Sequence, residues 1–164
     1  MIEELSFGAV VFRKENNKVL YLLLYRKAHQ NYMELWDFPR GLINKNETPE
    51  ETAKREIMEE TSIKELRFIK GFNESIKWFY KRDGNLISKK ATYFLAESNS
   101  KEVKISNEHD DFKWCYFDEA SSLIKTSLVF FNLIRDDASS KEHHLKLSCS
   151  LLILISEFCV SARK

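Results

Sequence analysis

The chain has almost no charge imbalance. Its 26 basic and 25 acidic residues leave a formal charge of +1 over 164 residues. It therefore lacks the positive excess with which a protein coats a long polyanion, and bulk DNA or RNA binding is not expected. Cysteine is also scarce. Cys115, Cys149 and Cys159 are odd in number and have no metal-ligand spacing, which points to reduced, buried thiols in the cytosol instead of a disulfide framework. The first residues, Met1 to Phe7, place Glu3 and Glu4 where an export signal would be basic and then apolar, so no export is expected. No apolar run reaches the roughly 20 residues of a membrane-crossing helix. The most apolar stretch, Leu145 to Val160, is interrupted by Lys146 and Glu157. Its Leu147, Leu151, Leu154, Ile155 and Phe158 recur at helical intervals, which predicts a helix packed on the body. Internal repeats, low-complexity tracts and dividing linkers are missing as well. One domain over 1–164 is expected, with a helical extension at about 141–164, as a cytoplasmic monomer with no membrane partner.

What the chain does contain is apolar mass: 43% hydrophobic and 13% aromatic residues, enough to offset the ordering entropy of a packed core. Leu5 to Arg13 and Lys18 to Arg26 read as two strands joined by Glu15, Asn16 and Asn17. Lys27 to Leu35 reads as a loop. The stretch from Trp36 to Glu47, with Pro39 and Gly41, excludes a regular helix. Thr48 then caps a helix, with Pro49 in its first turn and Glu51 placed to close a capping box. Leu66 to Tyr80 and Ile87 to Glu97 read as long strands around an Asp83-Gly84 turn. Phe112 to Phe117 reads as a further strand, followed by a short helix capped by Asp118 and running through Leu123, and a helix over Thr126 to Arg135. This order predicts an α+β fold, an α/β/α sandwich with a mixed sheet between helices.

The helix after Thr48 carries Arg55, Glu56, Ile57, Met58, Glu59 and Glu60. At about 100° per residue, Glu56, Glu59 and Glu60 share an arc of roughly 100°. Like charges at these spacings repel, and Arg55 is the local counter-charge. Glu60 lies beside Ala53 and Ile57 on the wheel, so this ridge borders the inward face. A hard divalent cation relieves the conflict, because Mg²⁺ takes carboxylate oxygens, keeps waters and bridges to phosphates. A solvated acidic helix face is the alternative reading of the ridge alone.

The wider spacing resembles the Nudix box: Gly41, five residues, Glu47, seven residues, then Arg55, Glu56, Ile57, Met58, Glu59, Glu60, Thr61, Ser62 and Ile63. Ser62 departs from it, standing where the family has a glycine that ends the helix in a left-handed conformation. The resemblance implies a Nudix hydrolase of Nudix fold, with its loop-helix-loop. It further implies a metal cluster held by Glu56 and Glu60 with Glu59 and the carbonyl of Gly41, and Arg55 orienting the acids. Glu47 supports the loop and helix, or acts in catalysis. An acid from a distant loop is implied too, for which Glu108, in Asn107-Glu108-His109, is the candidate as ligand or base. The catalytic set is thus Glu59, Arg55 and Glu108, with Mg²⁺, or Mn²⁺ in its place, as cofactor.

Beyond the box, Ser6 to Arg13, Trp36 to Gly41, Lys89, Tyr93 to Glu97, and Glu108 to Trp114 resemble the asymmetric diadenosine tetraphosphate hydrolase branch. That implies a small nucleotide substrate split into ATP and AMP, with Lys89 on the phosphates and Tyr93 stacked on adenine. A solvated lysine and a core tyrosine are the alternatives. Arg40, and Lys81 or Arg82, lie in segments able to add positive charge to a phosphate chain. His29 lies near a phosphate-contacting position of the branch and reads first as a surface residue. Two rival functions share the motif: hydrolysis of RNA 5′-triphosphate ends, and nucleotide sensing without catalysis.

Overall fold

Asn16 and Asn17 both take positive φ, 49° and 61°, the backbone that a tight two-residue hairpin demands and that asparagine tolerates. They join β1 (Ile2–Glu15) to β2 (Lys18–Arg26) in antiparallel register, Phe12 facing Tyr21 and Glu15 facing Lys18. The same device recurs at Asp83 and Gly84, with φ of 52° and 74°, between β5 (Arg67–Arg82) and β6 (Asn85–Glu97). Both turns were legible in the sequence. β2 keeps its expected bounds, while β1 runs past its own at both ends and β5 and β6 reach further toward their shared turn.

The computed structural model describes residues 2–28 and 34–124, which form two compact units. The first takes residues up to Val11 and Phe38–Ser106, and the second Phe12–Asp37 and the residues from Asn107 on. In the first unit β6 stands between β1 and β5 in hydrogen-bonding order, and β4 (Arg40–Leu42) pairs with β1, Phe7 opposite Gly41. The helix α1 (Pro49–Thr61) packs on β4 and β6. Thr48 caps it: its hydroxyl accepts from the Glu51 amide at 3.3 Å and the Glu51 carboxylate accepts from the Thr48 amide at 2.8 Å. α1 ends at Ser62, whose φ of 60° and ψ of 12° are left-handed, with its amide bonded to the Met58 carbonyl at 2.9 Å. Ala53 and Ile57 are fully buried, and a buried isoleucine side chain contributes roughly 1.5–3 kcal/mol.

In the second unit β2 is central. It pairs with the end of β1, with β3 (Leu35–Asp37) and with β7 (Asp111–Cys115), all antiparallel. Its run Leu20 to Leu24 is buried throughout, as a strand covered on both faces must be. A helix follows over 117–124. Because the Ala120 amide bonds to the Tyr116 carbonyl, Asp118 lies inside the first turn instead of capping it, where its charge still complements the helix dipole. The region from Trp36 to Glu47 holds no helix, as expected, but β3 and β4 lie in or beside it. Three-residue strands need few ladder bonds, and Pro39 stands between them, where no amide is required. Cys115 is buried and unpaired by a disulfide, and burial pushes its thiol up to about 12. Cys149, Cys159, His29, the helix over 126–135 and the C-terminal extension lie outside the described residues.

Candidate active site

The acidic ridge of α1 is graded by burial. Glu60, beside Ala53 and Ile57, is 8% exposed. Its carboxylate accepts from the Arg40 amide at 3.1 Å. The Glu56 side chain is 14% exposed and that of Glu59 is 53% exposed, so the ridge climbs from core to solvent over one turn, as the wheel predicts.

Arg55 ties this ridge to the preceding loop. Its Nε and Nη2 donate to the two oxygens of Glu47 at 2.6 and 3.1 Å, its Nη1 to Glu56 at 2.7 Å and Glu59 at 2.9 Å, and its Nη2 to the Leu42 carbonyl at 3.0 Å. The planar fork of a guanidinium makes such multiple bonding possible. Glu47 also accepts from the Asn44 amide and the Thr52 hydroxyl. The Arg55 hydrogen bond holds its carboxyl at about 2, against an opposing effect of burial, and Glu47 in return raises Arg55 above its ordinary value. Glu47 thus braces the loop against the helix, one of the two roles implied by the sequence.

A Cβ at Gly41 would fall onto the Glu56 carboxylate, so any other residue there would push that acid from its place. The β4 backbone at Arg40 and Gly41 therefore lies directly against Glu56 and Glu60. This cradle of carboxylates against backbone suits a hard cation. Among the described residues no three His, Cys, Asp or Glu side chains form a ready metal cage. Mg²⁺ does not need one, since it commonly uses one or two carboxylates, waters and substrate phosphates. The donor set therefore fits a divalent ion shared with a phosphate chain.

The other expected residues are placed differently. The Arg40 guanidinium lies over the Trp78 ring, 5.5 Å from its centroid. Lys89 stands opposite Trp78 in the β5–β6 register and pairs with Glu4 at 3.7 Å. Arg82 also pairs with Glu4, at 2.8 Å. Tyr93 is 2% exposed and packs edge-on to Phe38. Base stacking needs an open ring face, so the stacking role expected of Tyr93 is corrected to a core role. Glu108 belongs to the second unit, in the turn before β7. Its neighbour His109 has a lowered pKa, because burial outweighs the nearby charge of Glu108. Trp78 and Glu4 were missed in the sequence: neither belongs to a spaced motif, and the alternation of β5 was the available signal for Trp78.

A family model described as the NUDIX domain matches residues 3–135. The chain belongs to the NUDIX family. It is a Nudix hydrolase, and the expected α+β class is that of its fold. It is 31% identical over 69% of its length to 79% of the bis(5′-nucleosyl)-tetraphosphatase [asymmetrical] of Caenorhabditis elegans. A crystal structure of a C. elegans Ap4A hydrolase binary complex is similar with a TM-score of 0.69 and 26% identity, covering 98% of this chain and 99% of that one. An RNA pyrophosphohydrolase of Bartonella bacilliformis is 27% identical over 71% of this chain and 79% of its own length. Nudix hydrolases generally need a divalent metal. Among the described residues, no helix is long and apolar enough to cross a membrane.

Proposed function

We propose that this Nudix hydrolase splits diadenosine tetraphosphate into ATP and AMP by attack of water at phosphorus, with Mg²⁺, or Mn²⁺ in its place, as the metal. The observation that carries this reading is the contact of β4 with α1, where the Glu56 and Glu60 carboxylates lie against Arg40 and Gly41. It is supported by the similarity to asymmetric tetraphosphatases. Glu56, Glu59, Glu60 and the Gly41 carbonyl would hold the metal, with Glu108 retained as a proposed further ligand or base. When bound, the metal polarises a phosphoryl oxygen, acidifies water and neutralises the leaving phosphate. Arg55 fixes the orientation of Glu56 and Glu59. Arg40 and Lys89 meet the charge of the phosphate chain. Glu59, the most exposed acid of the ridge, or Glu108 takes the proton released by the attacking water. The phosphoanhydride bond breaks, and the hydroxyl from water stays on one product while the bridging oxygen leaves with the other. We also propose that residues 1–164 make one Nudix domain, because the family match runs through both units.

Chromatography of products tests the reading. With Mg²⁺ the purified protein is expected to yield ATP and AMP, and a chelator to abolish turnover. Glu60→Gln or Glu59→Gln is expected to lower turnover by about 100-fold or more while leaving the fold intact. Two ADP molecules would overturn asymmetric cleavage. A second reading, removal of pyrophosphate from RNA 5′-triphosphate ends, is favoured by the Bartonella relative. Faster turnover of triphosphate RNA would establish it in place of the first, and tight nucleotide binding without products would indicate a sensor.

A further inference from the structure

Three groups converge on one acid near the start of β1. The Glu4 side chain, 11% exposed, pairs with Arg82 Nη2 at 2.8 Å and with Lys89 Nζ at 3.7 Å. It also accepts from the Tyr80 hydroxyl at 2.9 Å. Strand geometry explains the gathering. Trp78, Tyr80 and Arg82 alternate along β5 and so share one face. Lys89 stands directly opposite Trp78, and residues so paired share a face. Burial alone would raise the Glu4 pKa, but Tyr80, Arg82 and Lys89 outweigh it and hold the carboxyl below its ordinary value. The group is therefore a settled ionic cluster carrying more positive than negative charge.

The face also leads back to the acidic ridge. Arg40 donates its amide to Glu60 and lays its guanidinium over Trp78, whose cross-strand neighbour is Lys89. Arg40, Lys89 and Arg82 thus form a row that begins at the ridge and runs along the hairpin, a layout suited to a chain of phosphates. Lysine and arginine lose much rotamer freedom when a ligand orders them. A carboxylate that orders them beforehand removes that cost from binding.

We propose that Glu4 is a positioning residue for a polyphosphate substrate, fixing Lys89 and Arg82, with Tyr80, on the face that leads to the acidic ridge. The inference rests on the phosphate-hydrolysing reading above. It assigns Glu4 to substrate affinity and not to the chemical step.

The test combines kinetics on diadenosine tetraphosphate with calorimetric binding of inorganic tripolyphosphate. Glu4→Gln is expected to raise KM and weaken tripolyphosphate binding by about tenfold, with kcat within about twofold of the parent. Glu4→Asp, which keeps the charge, is expected to recover part of the loss. In a Lys89→Ala background, Glu4→Gln is expected to add less than about threefold, because the two act through one array. Should Glu4→Gln fail to fold, Arg82→Gln reads the same array from its other end and is expected to raise KM by about threefold. Unchanged KM and binding, a loss confined to kcat, full additivity with Lys89→Ala, or no tripolyphosphate binding by the parent protein would each overturn the role. Normal hydrolysis with an indifferent Glu4→Gln would sink this inference and spare the functional reading. Glu4-dependent tripolyphosphate binding without hydrolysis of any nucleotide would do the reverse.

Discussion

Ser62 holds a backbone conformation that a side chain makes costly. A left-handed residue with a Cβ costs about 1–2 kcal/mol, against which glycine adds about 0.4–1 kcal/mol of unfolded-chain entropy. The Ser62 hydroxyl recovers a little through a 3.1 Å bond to the Lys104 carbonyl, but that bond is exposed. Ser62→Gly is therefore expected to stabilise the protein by about 0.5 kcal/mol in urea denaturation, without a change in turnover. The position was legible because the motif spacing marks where the helix must stop. Gly41, Arg55 and Glu56 were legible for the same reason: their roles depend on fixed separations along the chain. Glu4 was not, since one acid in a strand has no spacing to betray it, and its partners lie 76 or more residues away. Tyr93 shows the converse failure, because alternation places a strand residue on a face without saying whether that face is covered.

At the scale of elements, the best specified boundary is the start of α1, where both hydrogen bonds of the capping box form. Thr48→Ala removes the side-chain half of it and is expected to cost about 1 kcal/mol. The loss should appear as a lower midpoint in chemical denaturation, with the slope unchanged, since little buried surface is altered. Both long hairpins were legible because their turn residues are the ones that accept positive φ. β3 and β4 were hidden, since three residues are too few to show alternation and Pro39 and Gly41 disguise them as loop. They matter nonetheless, because β4 carries the backbone that lies against Glu56 and Glu60.

Across the whole molecule, the acid limit of stability should be set by carboxylates that folding makes more acidic. Glu47 is lowered from 4.5 to about 2, first by its hydrogen bond to Arg55, and Glu4 and Glu51 are lowered as well. A group whose folded pKa is depressed contributes its stability above the unfolded pKa and loses it as pH falls through the folded one. Stability from Glu47 is therefore expected to be complete above about pH 4.5 and to fade toward pH 2. Denaturation measured across this range should show the decline, and Glu47→Gln should flatten part of it. A decline of unchanged steepness in that variant would count against the assignment. The fold class was legible from the order of elements, while the division into two units was not, because no compositional break marks it and β1 contributes residues to each.

One guanidinium serves the Leu42 carbonyl and the acids at 47, 56 and 59, and with the Thr52 hydroxyl on Glu47 it fastens the loop to the helix. An excursion of the loop that frees Glu47 empties the Nε and Nη2 side of that fork, while Nη1 keeps its hold on Glu56 and Glu59, which ride on the same helix. Lysine, with one compact charge in place of a fork, could not fasten so many acceptors at once.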